Sequence, residues 1–338
     1  MLVTLTGAFK NSGDYLIGHR ARALLSSHTN HEIVDINRKS LNEESYEIFN
    51  QASAVLLTGG PAYQTNIYPG VYDIDLTRIK VPVIAYGLGW KGKLAQSPND
   101  FQFSEPAGEF VRSIHNSGIS SSARDHLTVE MLRANGVENV LMTGCPAWYD
   151  EERLGQAYEF QDIKSLVFSM PAVPQDQTLQ ILKGVAKRFP KAKKCLAFNA
   201  GYKSTRSKNT AEYTRWNYAM IARASLMGFS PVSFEADFAK FVDVMASQQL
   251  HFGYRVHSHL FSLSQRITSL LIAEDSRGVG QAMATGVAPL LATDSAKKVL
   301  GALDQLVSSE GEDAKKAISH MSDTHPVMKS FISQLAAL

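Results

Sequence analysis

Short β-rich runs alternate with helix-forming stretches along nearly the whole chain, the pattern that βαβ units and parallel sheets produce. In the first half the expected strands are 2–6, 32–36, 54–58, 82–86, 119–122 and 140–143. Helices such as 15–26 and 127–135 separate them, the second stopped by Asn135-Gly136. The polar, acidic stretch 149–162 carries no strand periodicity, and a second alternation begins after it. Its strands are expected at 165–168, 194–198, 231–234, 250–252 and 269–272, with helices at 179–189, 211–227, 238–248 and 257–266. A chain of 338 residues is long for one core at roughly 150 residues per domain, so two domains are expected, 1–150 and 151–338. The tail from Ser295 is helical by period; by analogy with two-domain α/β folds it packs back on the first domain.

Composition narrows the function classes. Apolar residues make up 44% and charged residues 20%, which excludes wholesale disorder. Lys and Arg number 34 against 32 Asp and Glu, so no basic field exists to hold nucleic acid, and any bound anion must be held locally. No apolar run approaches the roughly 18 residues of a membrane span. The first residues lack a basic segment ahead of an apolar one, so a cytoplasmic location is expected. Cys145 and Cys195 are expected to be reduced and buried. No His/Cys cluster has zinc-ligand spacing, and Asp73-Ile74-Asp75 precedes the fourth strand, so neither metal nor cofactor is expected. The basic stretch from Lys187 to Lys194 reads as a solvated connection.

Ligands of open parallel sheets bind beyond the carboxyl ends of the strands, and five segments have that placement. Asn11-Ser12-Gly13-Asp14 follows the first strand; alone it reads equally as a turn with Asp14 capping the next helix. The pairs Gly59-Gly60 and Gly87-Leu88-Gly89 end the third and fourth strands and would admit a polar acceptor close to backbone. In Arg124-Asp125 the carboxylate can cap a helix, while the guanidinium either points into the cleft or forms a surface ion pair. Arg255-Val256-His257 closes one strand and opens a helix, setting a two-point anion donor and an acid/base group beside the positive helix end. His259, two positions on, is expected to pack or lie at the surface. The stretch Leu270 to Arg277 reads as a strand presenting Arg277 beside Arg255, and two arginines with a histidine suit a ligand carrying carboxylate and phosphate.

Taken in order, these segments resemble the polysaccharide pyruvyl transferase family: Asn-Ser-Gly-Asp, Leu-Thr-Gly-Gly-Pro, Val-Pro-Val-Ile-Ala-Tyr-Gly, Ile-Ser-Ser-Ser-Ala-Arg-Asp, Gly-Cys-Pro-Ala, Arg-Val-His and Glu-Asp-Ser-Arg. The resemblance implies two Rossmann-like domains arranged as in GT-B glycosyltransferases, an acceptor side in the first and a donor side in the second. It also implies transfer of pyruvate from phosphoenolpyruvate, as a ketal, to a polysaccharide or its lipid-linked precursor. Donor binding then falls to Arg255, Val256, His257 and Arg277. Here Arg277 replaces the family's Lys, Cys145 stands where many members have Asp, and Ser169-Met170-Pro171 lacks an Arg often found nearby.

Ketal formation needs a proton on the methylene carbon, an oxocarbenium-like centre and an attacking hydroxyl. His257 is the expected acid, with its pKa lowered by the helix end and raised again by the anionic donor. Arg255 would hold the carboxylate, Arg277 the phosphate, and Asp14 or Asp125 would be the base. Asn11, Gly13, Gly59, Gly60, Gly87, Gly89 and Arg124 are the expected acceptor or cleft residues. The competing readings are glycosyl transfer from a nucleotide sugar and noncatalytic sugar binding on the same scaffold.

Overall fold

The computed structural model describes residues 1–7, 9–204 and 209–338. The first half runs β1 (Leu2–Thr6), α1 (Ser12–His28), β2 (Ile33–Asn37), α2 (Glu43–Gln51), β3 (Ala54–Thr58), β4 (Val83–Tyr86), α3 (Glu105–His115), β5 (Ser121–Ala123), α4 (His126–Ala134) and β6 (Val140–Met142). Its strands form a parallel sheet in the order β2-β1-β3-β4, and a parallel pair β5-β6 is joined to that edge by a bridge between Leu88 and Ala123. The second half runs β7 (Ser165–Ser169), α5 (Thr178–Arg188), β8 (Lys193–Phe198), α6 (Thr210–Ser225), β9 (Phe229–Ser233), α7 (Phe238–Ala246), β10 (Leu250–Gly253), α8 (Val256–Ser264), β11 (Thr268–Ala273), α9 (Ser276–Ala284), β12 (Leu290–Leu291), α10 (Ala296–Ser308) and α11 (Glu312–Ala336). These six strands make one parallel sheet, β12-β11-β10-β7-β8-β9.

Period-two alternation sorts the first sheet's side chains between two cores. Val3, Leu5, Val55 and Leu57 pack with Phe110, Val111 and Ile114 of α3 on one face. Leu2, Leu56, Ile84 and Tyr86 face α1 on the other, in a core that continues through Trp148, Leu260 and Phe261 to Phe331 of α11. Tyr86 and Phe331 meet with ring centroids 5.5 Å apart, and the Ser120 N–H donates to Gln334 Oε1. Apolar packing therefore runs from the first sheet to the last helix.

Several local expectations change. α1 is capped by Asn11, whose Oδ1 accepts from the Gly13 N–H, and not by Asp14, which lies in the first turn. β11 stops at Ala273 because Asp275 caps α9, so Arg277 begins a helix instead of ending a strand. β9 starts earlier than expected and includes Pro231, which the sheet tolerates because β9 is its edge strand. Lys194 is buried at the start of β8, its ammonium donating to the carbonyls of Phe189 and Ala192, so that end of the basic stretch is not solvated. Cys145 is buried; Cys195 is only half-buried. Among the described residues, no helix is long and apolar enough to cross a membrane.

Candidate active site

In the first sheet the chain leaves β1 for β2 on one side and β3 lies on the other, so a crevice opens beyond β1. In the second sheet the same reversal occurs between β7 and β10. Residues following these strand ends line one cleft of about 330 Å³, including Asn11 and Asp14 from the first half and Met170, Asn199, Arg255 and Arg277 from the second. A narrow extension is lined by Tyr254, Val256, His257 and Glu274.

Asn199, immediately after β8, joins the two halves at this point. Its Nδ2 donates to Ser12 Oγ at 3.0 Å and Ser258 Oγ at 2.9 Å, and its carbonyl accepts the Ser12 N–H at 3.1 Å. The amino-terminal turns of α1 and α8 are thereby pinned together, which brings His257 against Gly13. His257 is buried and its Nε2 has no hydrogen-bond partner. Burial first, then the charges of Arg124, Arg277 and Arg255, hold its pKa down at about 3, so the ring is neutral near pH 7.

Carboxylates balance these arginines. Burial raises the Asp14 pKa, against the lowering influence of Asn11, Arg38, Arg255 and Arg277. Burial also raises that of Glu274, which accepts the Ala172 N–H at 2.9 Å. Arg277 forks onto Asp275, with Nε to Oδ1 at 2.8 Å and Nη2 to Oδ2 at 2.6 Å. Arg255 occupies the cap position of α8, its N–H donating to Ser169 Oγ at 3.0 Å. Beneath it a buried chain runs from Ser169 Oγ to His251 Nε2 (2.8 Å), from His251 Nδ1 to Ser269 Oγ (2.8 Å) and on to His259 Nδ1 (2.7 Å). His259 is thus buried in this chain and not at the surface, with burial lowering its pKa to about 3.

The remaining expected site residues are placed apart from the cleft. Asp125 is buried and committed: its Oδ1 caps α4 through the Thr128 N–H and hydroxyl, and its Oδ2 accepts from Arg124 Nε at 3.1 Å. Arg124 is buried too, donating to the Trp90 carbonyl, and forms no surface ion pair. The open faces of Gly59, Gly87 and Gly89 are filled by Ile17, Pro146 and Arg124, and Gly60 is buried with its carbonyl accepting from Ala62 and Gly89. Close approach at Gly59, Gly87 and Gly89 serves the protein's own packing, whereas the space beside the Gly60 α-carbon is open. Sequence reading missed Asn199 and Arg38, although both immediately follow a strand and the same strand-end rule would have reached them.

A family model described as polysaccharide pyruvyl transferase matches residues 11–276. No curated protein matches the chain in sequence. Among solved structures it is similar to S. aureus MnaA with UDP (12% identity, 94% of this chain and 90% of that one, TM-score 0.56). It is also similar to the Neisseria meningitidis UDP-GlcNAc 2-epimerase bound to UDP-GlcNAc (10%, 98% and 99%, 0.56). A third is Anabaena HepE in complex with UDP-glucose (12%, 100% and 99%, 0.53). These likenesses establish the fold, an α/β GT-B-like arrangement of two Rossmann-like domains.

Proposed function

Because the chain belongs to the polysaccharide pyruvyl transferase family, we propose that it moves pyruvate from phosphoenolpyruvate onto two hydroxyls of a saccharide as a ketal. The observation that carries the reading is the convergence of Arg255, Arg277, His257 and Asp14 on one cleft at the sheets' switch points. We take 1–150 as the acceptor domain and 151–338 as the donor domain.

Arg255 receives the donor carboxylate, with Val256 beside it at the start of α8. Arg277 faces the phosphate with what its fork on Asp275 leaves free. The donor's negative charges offset the arginines that depress His257, so the imidazole gains its proton in the complex and gives it to the methylene carbon. The resulting oxocarbenium-like centre at C2 takes the first hydroxyl oxygen; the C2–O bond to phosphate then breaks and the second hydroxyl closes the ketal. Two hydroxyl protons leave: one reprotonates His257 and the other passes by way of the base to the departing phosphate. Asp14 is the base in this reading, a choice supported by the commitment of Asp125 as a buried cap. A carboxyl whose pKa burial has raised is the better proton acceptor.

The test is thermal stabilisation by phosphoenolpyruvate beside a panel of UDP-sugars, followed by phosphate release with a saccharide acceptor. Stabilisation by a UDP-sugar alone would return the chain to the glycosyl-transfer reading; response to saccharides alone would make it a binding protein.

A further inference from the structure

Away from the cleft, three side chains from distant parts of the sequence converge: His28 at the end of α1, Glu151 in the stretch following β6, and His325 within α11. We propose that they form a binding site for a divalent transition-metal ion of the zinc type. Their ligand atoms all lie within 4.8 Å of one another, and among the described residues this is the one such group of His, Cys, Asp and Glu.

Glu151 Oε1 is 2.5 Å from His28 Nε2 and 3.7 Å from His325 Nε2. The first contact is a hydrogen bond. The second is too long for one, and His325 Nε2 is buried without a partner. Protein–protein bonding therefore accounts for one imidazole and leaves the other aimed at the same oxygen. Around a tetrahedral ion with ligands at about 2.0–2.1 Å, neighbouring ligand atoms stand roughly 3.3 Å apart. The two separations to Glu151 bracket that value and the one between the imidazoles lies within 4.8 Å, so side-chain adjustment of about 1–1.5 Å accommodates the ion. The side chains are 23%, 29% and 16% exposed, open enough for entry and for water in the fourth position. Two imidazoles with one carboxylate suit zinc, nickel or cobalt; calcium and magnesium favour all-oxygen sites. The His325 ring is held in place by Tyr149, with centroids 5.1 Å apart.

Such an ion would clasp α1, the connection after β6 and the carboxyl-terminal helix at one point. It requires no change in the cleft chemistry, and neither proposal depends on the other. The sequence expectation of no zinc-like spacing was blind to it because no two of the three ligands are neighbours along the chain.

The experiment uses the full chain after chelation. Titration with zinc chloride, by calorimetry and thermal melting, should give one ion per chain and a melting temperature higher by a few degrees at about a hundredfold excess over Kd. His28→Gln and His325→Gln should each weaken binding by roughly 10- to 100-fold, whereas His320→Gln, on the exposed face of the same helix, should not. No binding, or binding unaltered in both ligand variants, overturns the site. Should a variant fail to fold, cobalt in the unaltered protein decides: an intense visible spectrum of low coordination supports the site, and a weak octahedral one overturns it.

Discussion

The imidazole of His257 packs directly on Gly13: a β-carbon at Gly13 would stand 2.4 Å from Nδ1 and 2.8 Å from the histidine's own Cβ. A residue of the second half is thereby seated on the first helix of the first half. The contact exists because Asn199 holds Ser12 and Ser258 together, so the position of His257 depends on how the two halves meet.

Gly13→Ala tests that dependence. The added methyl cannot coexist with the ring where it stands, so the ring or α1 must shift. Overpacking should cost about 1–3 kcal/mol of stability, and a displacement near 1 Å should lower turnover by roughly 10²-fold. Phosphate release, with circular dichroism to verify the fold, is the measurement. Unchanged turnover would mean that His257 does not act from this position.

His257→Ala separates catalysis from binding. Donor affinity should stay within a few fold, because the arginines hold the anion, while turnover falls by roughly 10²-fold or more. His259→Ala should do less to turnover and more to stability, since it leaves Ser269 without one buried partner. A larger loss of turnover in His259→Ala would assign the acid wrongly.

Arg255→Lys and Arg277→Lys should differ. Arg277 spends its fork on Asp275, and in the proposed reading it faces the phosphate while Arg255 makes the two-point carboxylate contact. A lysine cannot reproduce that planar contact. Calorimetry with phosphoenolpyruvate should find the greater loss in Arg255→Lys; equal or reversed losses count against the assignment.

Acid should destabilise the protein early. Burial lowers the pKa of His257 and His259 to about 3 and of His115 to about 4, against 6.5 for the ordinary side chain. A lowered pKa means that the unfolded chain takes up these protons first. The stabilisation is complete above pH 6.5 and is lost as pH falls from there toward 4 and 3, by up to about 1.4 kcal/mol per pH unit for each group. Urea midpoints between pH 7 and 5 should show this slope, and His259→Gln should reduce it by about one proton. A flat profile would contradict the buried, neutral histidines.

The sequence by itself determined the alternation of strands and helices, since period and turn residues are local properties. It also located the strand-end segments around Asn11 and Arg255, because ligand placement in parallel sheets follows from topology. It did not determine which of those segments meet. Gly59, Gly87 and Gly89 satisfy the same local rule as Gly13, yet their space is taken by Ile17, Pro146 and Arg124, residues distant in the chain. Asp14 and Asp125 were equivalent candidates until packing left one facing a cleft and made the other a buried cap. Arg277 proved to be a helix residue because the Asp275 cap, two positions away, outweighed the strand pattern before it. Tertiary structure alone brought together His28, Glu151 and His325, because three single polar residues on separate segments carry no periodic signal and acquire a shared chemistry only when α1 and α11 pack against the same core.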